Sequence, residues 1–318
     1  MAKKGRRRRR KQVGLGGVLL FLFLAMVVVA AVYLAYRTAG PPAEPVVVEE
    51  EPAAAPSVPP AQERPVPSSE PEVVAPVTPQ SQPESLPEAL PASGEARIAL
   101  VIDDLGRRVA DVHDLEALGV PVSYAVLPFE SRTPQVLAAL EDHGAEVLLH
   151  LPMEGRDGAT PGPGALRAGM AAAELAAATG RALEAVPTAR GVNNHMGSVL
   201  TADALSMRAV LEVVAERGLF FLDSRTSPQS VAFRTAVDLG IPTAERQVFL
   251  DPDPAPEAVR FQFRRLLGVS RDRGAAIAIG HPHPATLEVL RQEVPRAREL
   301  GYRFVPVSEL LERTGLPP

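Results

Sequence analysis

Two adjacent aspartates, Asp103 and Asp104, stand near the end of the stretch Ile98–Gly106, which reads IALVIDDLG. Five apolar residues, Ile98 to Ile102, run straight into them. An unbroken apolar run with β-branched residues reads as a strand buried on both faces. Carboxylates do not belong inside such a strand, so the pair marks the place where it emerges. In parallel α/β folds the C-terminal strand ends carry the ligand sites. An N-cap on the next helix accounts for one aspartate. Its neighbour is then left over, and two adjacent carboxylates repel unless a cation relieves them.

The remaining chemistry must come without thiols, because the chain has six histidines and no cysteine. That excludes a disulfide framework, a thiolate metal site and a cysteine nucleophile. His113 and His143 fall in expected helices and are given no role. His150 ends the run VLLH and is followed by LPME, which supplies Glu154. His195 lies in RGVNNHMGS with Arg190, Asn193 and Asn194; Asp223 ends FFLD; His281 and His283 follow AAIAI in GHPHP. Each has an ordinary reading: a hydrogen-bonded strand-end histidine, an aspartate cap, an asparagine in a turn. Their joint placement says more. Asp103, Asp104, His150, His195, Asp223 and His281 fall at the same ends of different expected strands. In a barrel those ends converge on one face. Asp, Glu and His without Cys suit a divalent metal, zinc first, with a position left open for water.

The elements that position these residues follow from the alternation of short apolar runs and amphipathic stretches. Strands are expected at Arg97–Asp103, Val120–Leu127, Glu146–Leu151, Thr188–Asn194, Gly218–Asp223, Arg246–Leu250, Ala275–Gly280 and Tyr302–Val305. Helices are expected at Arg107–Leu118, Pro134–His143, Ala171–Leu183, Ala202–Arg217, Glu257–Val269 and Thr286–Leu300. This alternation predicts an α/β fold, a distorted (β/α) barrel of seven to eight parallel strands over residues 96–318. No G-x-G-x-x-G follows the first strand and no G-x-S-x-G occurs, which argues against a dinucleotide fold and a serine hydrolase elbow.

Ahead of this domain the composition changes three times. Residues 1–12 form a basic tail with eight Lys or Arg between residues 3 and 11. Residues 13–36 carry no charge, and as a helix they would extend about 36 Å, enough to cross a bilayer core. Residues 37–95 form a Pro- and Glu-rich linker; between 41 and 95 there are fifteen prolines, ten glutamates and no aromatic residue. Such a segment cannot bury a core and spans up to roughly 170 Å when extended. The expected arrangement is a basic cytoplasmic tail, a single-pass anchor in the inner (cytoplasmic) membrane and a tethered domain on the extracytoplasmic side, with a cleaved signal peptide as the rival reading of residues 13–36. The basic residues are accounted for by this topology, so no nucleic-acid partner is expected. Nothing in the sequence signals an oligomeric state.

IALVIDDLG, LLHLPME, RGVNNHMGS, FLDSRT and AIGHPHP, taken in order, resemble the divergent polysaccharide deacetylases, a distant branch of the NodB-homology carbohydrate deacetylases. The resemblance spans about Ala96–Leu311. It implies a distorted (β/α) barrel and metal-dependent removal of N-acetyl groups from a glycan. Carried over residue by residue, Asp103 matches the catalytic base and Asp104 a metal ligand. His150 matches the first histidine of the H-x-x-x-H metal motif, whose second position is here Glu154. Pro152 between them disfavours the helical turn that would aim both at one ion. The resemblance therefore assigns the third ligand to His195, with Glu154 as the alternative. Arg190 falls in the segment matching the Arg-containing motif, with Asn194 beside it as a supporting residue. Asp223 resembles the aspartate that orients catalytic groups. His281 matches the catalytic acid, and His283 is an additional candidate. The alternatives to deacetylation of an envelope glycan are a degenerate barrel that binds a glycan or an envelope partner, and a metallohydrolase of another bond. The domain lacks Trp, so the rings available to a sugar are Tyr124, Phe129 and Phe221.

Overall fold

A computed structural model describes residues 96–156 and 158–311. Nine strands and seven α-helices alternate along them. The strands are β1 (Arg97–Leu105), β2 (Ser123–Val126), β3 (Glu146–Met153), β4 (Gly191–Met196), β5 (Phe220–Asp223), β6 (Thr243–Glu245), β7 (Val248–Phe249), β8 (Ala275–Gly280) and β9 (Arg303–Phe304). The helices are α1 (Ala110–Glu116), α2 (Thr133–Asp142), α3 (Ala172–Ala185), α4 (Ala204–Glu216), α5 (Ala232–Asp238), α6 (Pro256–Arg273) and α7 (Pro284–Glu299). All pairings are parallel, in the order β6-β5-β4-β3-β2-β1-β8-β7, with β9 beside β1.

The two ends of this path belong to one short segment. Thr243–Glu245 pairs with β5, and Val248–Phe249 pairs with β8. Between them the Arg246 N–H donates to Asp223 O and the Gln247 N–H to Ile277 O, both at 3.0 Å. The sheet is therefore curled until a single segment spans its two edges. Of the expected strand at Arg246–Leu250 only Val248–Phe249 pairs, as β7, and the unforeseen β6 lies just ahead of it, because no one straight strand can pair with both neighbours. The expected alternation of the other elements holds, while α5 was not foreseen.

Strand parity divides the apolar residues into two cores. Ala99, Val101, Ala125, Leu148, Phe220, Leu222, Ile277 and Ile279 line the inner face. Ile98, Leu100, Ile102, Leu149 and Leu151 face outward and meet helix residues such as Leu115, Leu140, Val210, Phe263 and Leu290. Helix ends follow capping chemistry. α6 opens with Pro256, carries Glu257 in its first turn and Arg271 and Arg273 in its last, and stops at Gly274, whose φ is 77°. The N-terminal end of the inner core is closed by the 3-10 turn Val307–Leu310. Its Val307 N–H donates to Ser123 Oγ at 3.0 Å and its Ser308 N–H to Glu146 Oε1 at 3.3 Å. The opposite end remains open.

The membrane placement needs correction. Among the described residues no helix is long and apolar enough to cross a membrane, against the expected single-pass placement. The basic tail, the apolar run at 13–36 and the linker on which that expectation rested lie outside the described residues.

Candidate active site

β1 keeps its parity as far as Asp103, which faces inward with Ala99 and Val101 and is buried. By the same parity Asp104 would face outward. Its φ is instead 61°, in the left-handed region, and the β1–β2 register shifts between Ile102 and Leu105. This bulge swings the second carboxylate to the same strand end as the first. The other non-glycine residues with positive φ among the described residues, Met196 and Arg225, line the cavity at this end. Strained backbone gathers where function requires it.

Asp104 Oδ1 lies 3.2 Å from His150 Nε2 and 2.9 Å from His195 Nδ1. The two nitrogens are 3.1 Å apart. Oδ1 is buried, yet neither approach has hydrogen-bond direction, so the oxygen is left without a hydrogen bond. Three potential metal-ligand atoms thus crowd one point, the two nitrogens within hydrogen-bond distance of each other. Tetrahedral zinc with ligands at about 2.0–2.2 Å brings its ligand atoms to roughly 3.3 Å from one another, so this donor set fits such an ion. His150 and His195 come from neighbouring strands, with Asn193 directly beside His150 in the β3–β4 register.

Asn193 fixes the chemistry of both partners. Its Nδ2 donates to Asp103 Oδ1 at 2.8 Å, so its Oδ1 is the atom 2.9 Å from His150 Nδ1. An amide oxygen only accepts, so Nδ1 of His150 carries a proton, and the neutral ring would present the Nε2 lone pair toward Asp104. Burial raises the Asp103 pKa, opposed by His150, His281 and the Asn193 amide. Burial would also raise Asp104, but the close approach and charge of the two imidazoles outweigh it and hold the carboxyl well below the usual range. Burial disfavours charge on His150, and the two carboxylates overcome it to push the imidazole upward. The same negative charge attracts a cation.

Across the cavity stands His281. Its Nδ1 meets Asp251 Oδ1 at 2.9 Å, and its backbone N–H donates to Asp251 Oδ2 at 2.7 Å. Thr286 Oγ1 also donates to Oδ2, at 2.8 Å. Burial would lower the His281 pKa; the Asp251 contact, with Asp103 and Asp104 beyond it, pushes it up to about 9. His283 is exposed, its ring centroid 5.5 Å from that of His281. A cavity of about 330 Å³ joins Asp103, His150 and His195 to His281, Phe249 and Arg246.

Three expected residues lie elsewhere. Asp223 follows Leu222 on β5 and so faces outward. Its carboxylate accepts from Arg225 N–H at 2.8 Å, Ser230 Oγ at 2.7 Å and Phe233 N–H at 3.3 Å, bracing a loop rather than orienting His281. Glu154 follows β3, which stays extended through Met153, and is thus about 13 Å along the chain from His150. Its Oε2 accepts from Ala168 N–H at 2.7 Å. Arg190 precedes β4 at the closed end, exposed beside a surface cavity that also includes Glu146 and Ser308. Asn194 does line the cavity, but its amide braces the backbone: its Nδ2 donates to Met196 O at 2.7 Å and its Oδ1 accepts from Ser224 N–H at 2.9 Å, linking the β4 and β5 ends.

Asn193, Asp251 and Arg246 were missed as site residues. Asn193 shares inward parity with His195, two residues on. Asp251 directly follows the expected strand Arg246–Leu250, as the first aspartate follows IALVI. Both signals were present in the sequence.

The curled parallel sheet, its ring of helices and the Asp–His cleft at the open strand ends define an α/β protein built around a strand-end cleft. The chain belongs to the divergent polysaccharide deacetylase family, whose profile matches residues 100–311. It is 37% identical over 198 residues to the uncharacterized protein YibQ of Escherichia coli (strain K12), covering 62% of this chain and 62% of that one. An uncharacterized protein of Haemophilus influenzae is 35% identical over 197 residues, covering 62% of this chain and 70% of the relative. The match therefore spans less than two thirds of the E. coli relative's length. The crystal structure of uncharacterized protein ATU2773 from Agrobacterium tumefaciens C58 superposes with a TM-score of 0.62 at 24% identity, over 70% of this chain and 92% of that one. That likeness shows the fold.

Proposed function

We propose that the protein is a metal-dependent hydrolase that removes the acyl group from an N-acetylated sugar. The observation carrying this reading is the buried Asp104 oxygen without a hydrogen bond, facing two imidazole nitrogens, with Asp103 on one side and His281 across the cavity. Asp104, His150 and His195 would hold a divalent ion, zinc first by its preference for nitrogen and oxygen ligands. When bound, such an ion polarises the amide carbonyl and makes water a stronger acid. Asp103 is the general base. Its buried carboxyl, raised in pKa, takes the proton of the attacking water. Asn193 holds that carboxylate and the His150 ring in one fixed relation. His281 is the general acid. It enters the reaction protonated, held so by Asp251, and delivers its proton to the departing nitrogen, which otherwise leaves poorly. Asp251 positions His281 and does not touch the substrate.

The test is a zinc titration of the full chain followed by an assay of amine release from N-acetylglucosamine oligomers. One equivalent of zinc should bind at micromolar or lower concentration. Asp103→Asn should bind zinc and lose about 100-fold or more of the rate. A chain that binds no divalent metal refutes the proposal. Metal binding without amine release would leave a sugar-binding barrel. Full turnover by Asp103→Asn would remove only the base assignment.

A further inference from the structure

The reaction site contains one positive charge that no carboxylate contacts. His281 is paired with Asp251 at 2.9 Å and Arg225 with Glu245 at 3.2 Å. Asp103 and Asp104 face the proposed ion. Arg246 is different. Among the described residues no carboxylate lies within 4.0 Å of its guanidinium. Its Nε donates to Ser224 O at 2.7 Å and its Nη2 to Arg225 O at 3.0 Å, and no hydrogen bond engages Nη1. The guanidinium carbon stands 4.7 Å from the centroid of the Phe249 ring, whose other neighbour is His281 at 5.6 Å between ring centroids. Asp223 and Asp103 act on Arg246 only through space. Asp223 is already held by Ser230 and by the N–H groups of Arg225 and Phe233.

This arrangement has the features of a preorganised anion receptor. Two backbone carbonyls and an aromatic face fix the guanidinium, so little side-chain freedom remains to be lost on binding. The cost of keeping a partly buried cation without a contacting counter-ion is explained if the ligand supplies that charge. The cavity, about 330 Å³, is at the small end of ligand sites. A group touching Arg246 is therefore part of the same small substrate whose acyl group lies at Asp103 and His281. A single unpaired charge matches a monoanion better than a phosphate dianion.

We propose that Arg246 is a specificity-determining residue and that the substrate is an acylated sugar bearing a carboxylate close to the acyl nitrogen. This rests on the hydrolase reading above and adds the charge of the substrate to it. N-acetylglucosamine and N-acetylmuramic acid differ by a 3-O-lactyl group that carries one carboxylate, and variants of Arg246 separate its charge from its bulk. With the zinc-loaded full chain, kcat/KM should favour N-acetylmuramic acid by about tenfold or more. Its KM should rise with ionic strength, a response that a purely structural arginine would not give. Arg246→Gln should collapse the preference to near unity, and Arg246→Lys should retain part of it. Equal use of both sugars by the parent, or an unchanged preference in folded Arg246→Gln, overturns the proposal. A stronger preference for N-acetylglucosamine 6-phosphate overturns the carboxylate assignment. Binding of the same sugars, followed by calorimetry, separates the two layers. Absence of turnover with preferential binding of the carboxylate sugar, lost in Arg246→Gln, sinks the hydrolase reading and upholds Arg246. Absence of preference in both turnover and binding sinks Arg246 alone if the sugars are hydrolysed.

Discussion

A histidine that donates a proton must be charged when substrate arrives, and Asp251 arranges this for His281. The Asp251 carboxylate is buried, accepts from the His281 backbone, and sits on the ring's Nδ1, leaving Nε2 for the substrate in the proposed reaction. Burial raises its own pKa, but the imidazole and the Thr286 hydroxyl hold it below the usual carboxylate range. The sign for activity is direct. The His281 pKa is pushed up to about 9 in the metal-free site, so turnover falls as pH rises through the value that this imidazole keeps when the ion is bound. Asp251→Asn should move this basic limb toward the ordinary imidazole value near 6.5. A bound cation lowers the limb in both proteins, so the difference between their pH–rate profiles is the readout. Asp223→Asn, by contrast, should leave the limb where it is, because that carboxylate braces a loop. An unshifted limb in Asp251→Asn would remove Asp251 from this role. For stability the same pair acts in opposite directions. The His281 contribution is complete below pH 6.5 and disappears as pH rises through 9, whereas that of Asp251 is present above its ordinary value of 3.8 and disappears as pH falls through its depressed one. At this scale the sequence was legible wherever a polar residue ended an apolar run, which is how Asp103, His150 and His281 stand out. It misled at Asp223, which shares the outward face of Phe221, opposite to Leu222, so that the carboxylate lies outside the barrel wall. Asp251 carried the correct signal one residue beyond the expected strand.

The elements do more than deliver residues to one end. Apolar runs of five residues specify the inner strands with little ambiguity, and the alternation Val192, Asn193, Asn194, His195 assigns faces on β4. What the sequence could not show is the bulge in β1, since a positive φ at Asp104 depends on the pairing of β1 with β2 rather than on any local residue. Nor did it show α5, whose seven residues are too few to establish a period. β4 also carries a constraint that only packing reveals. Gly191 opens the strand where the Phe220 ring of the inner core lies against its backbone, and a Cβ at this position would overlap that ring. Phe220 is buried and cannot swing into solvent. Gly191→Ala should therefore destabilise the domain by about 1–3 kcal/mol, read as a lower urea midpoint with an unchanged slope. Because β4 carries Asn193 and His195, the displaced strand should also weaken zinc binding. Stability and zinc affinity equal to the parent's would show that the ring yields freely.

Across the whole molecule, the proposed ligands tie together parts of the sheet that are far apart in sequence. Asp104 comes from β1, His150 from β3 and His195 from β4, with β2 between the first two. Without an ion, the folded state concentrates two aspartates at this junction and leaves Asp104 Oδ1 buried without a hydrogen bond. Both features weaken the native state. A cation answers both, and it binds the folded arrangement alone, because the unfolded chain does not bring the three ligands together. Binding must then raise stability by mass action, about 2.7 kcal/mol at a free zinc concentration 100 times Kd. For a domain of this size that corresponds to a Tm increase of roughly 5–10 °C. Thermal unfolding of the full chain with and without zinc should show this rise, and a chelator should reverse it. His195→Ala removes a ligand and should abolish most of the shift, while His281→Ala lies outside the ligand set and should keep it. The contrast between the two variants separates a three-strand clasp from general binding of zinc to surface carboxylates. A shift of the same size in His195→Ala would refute the clasp.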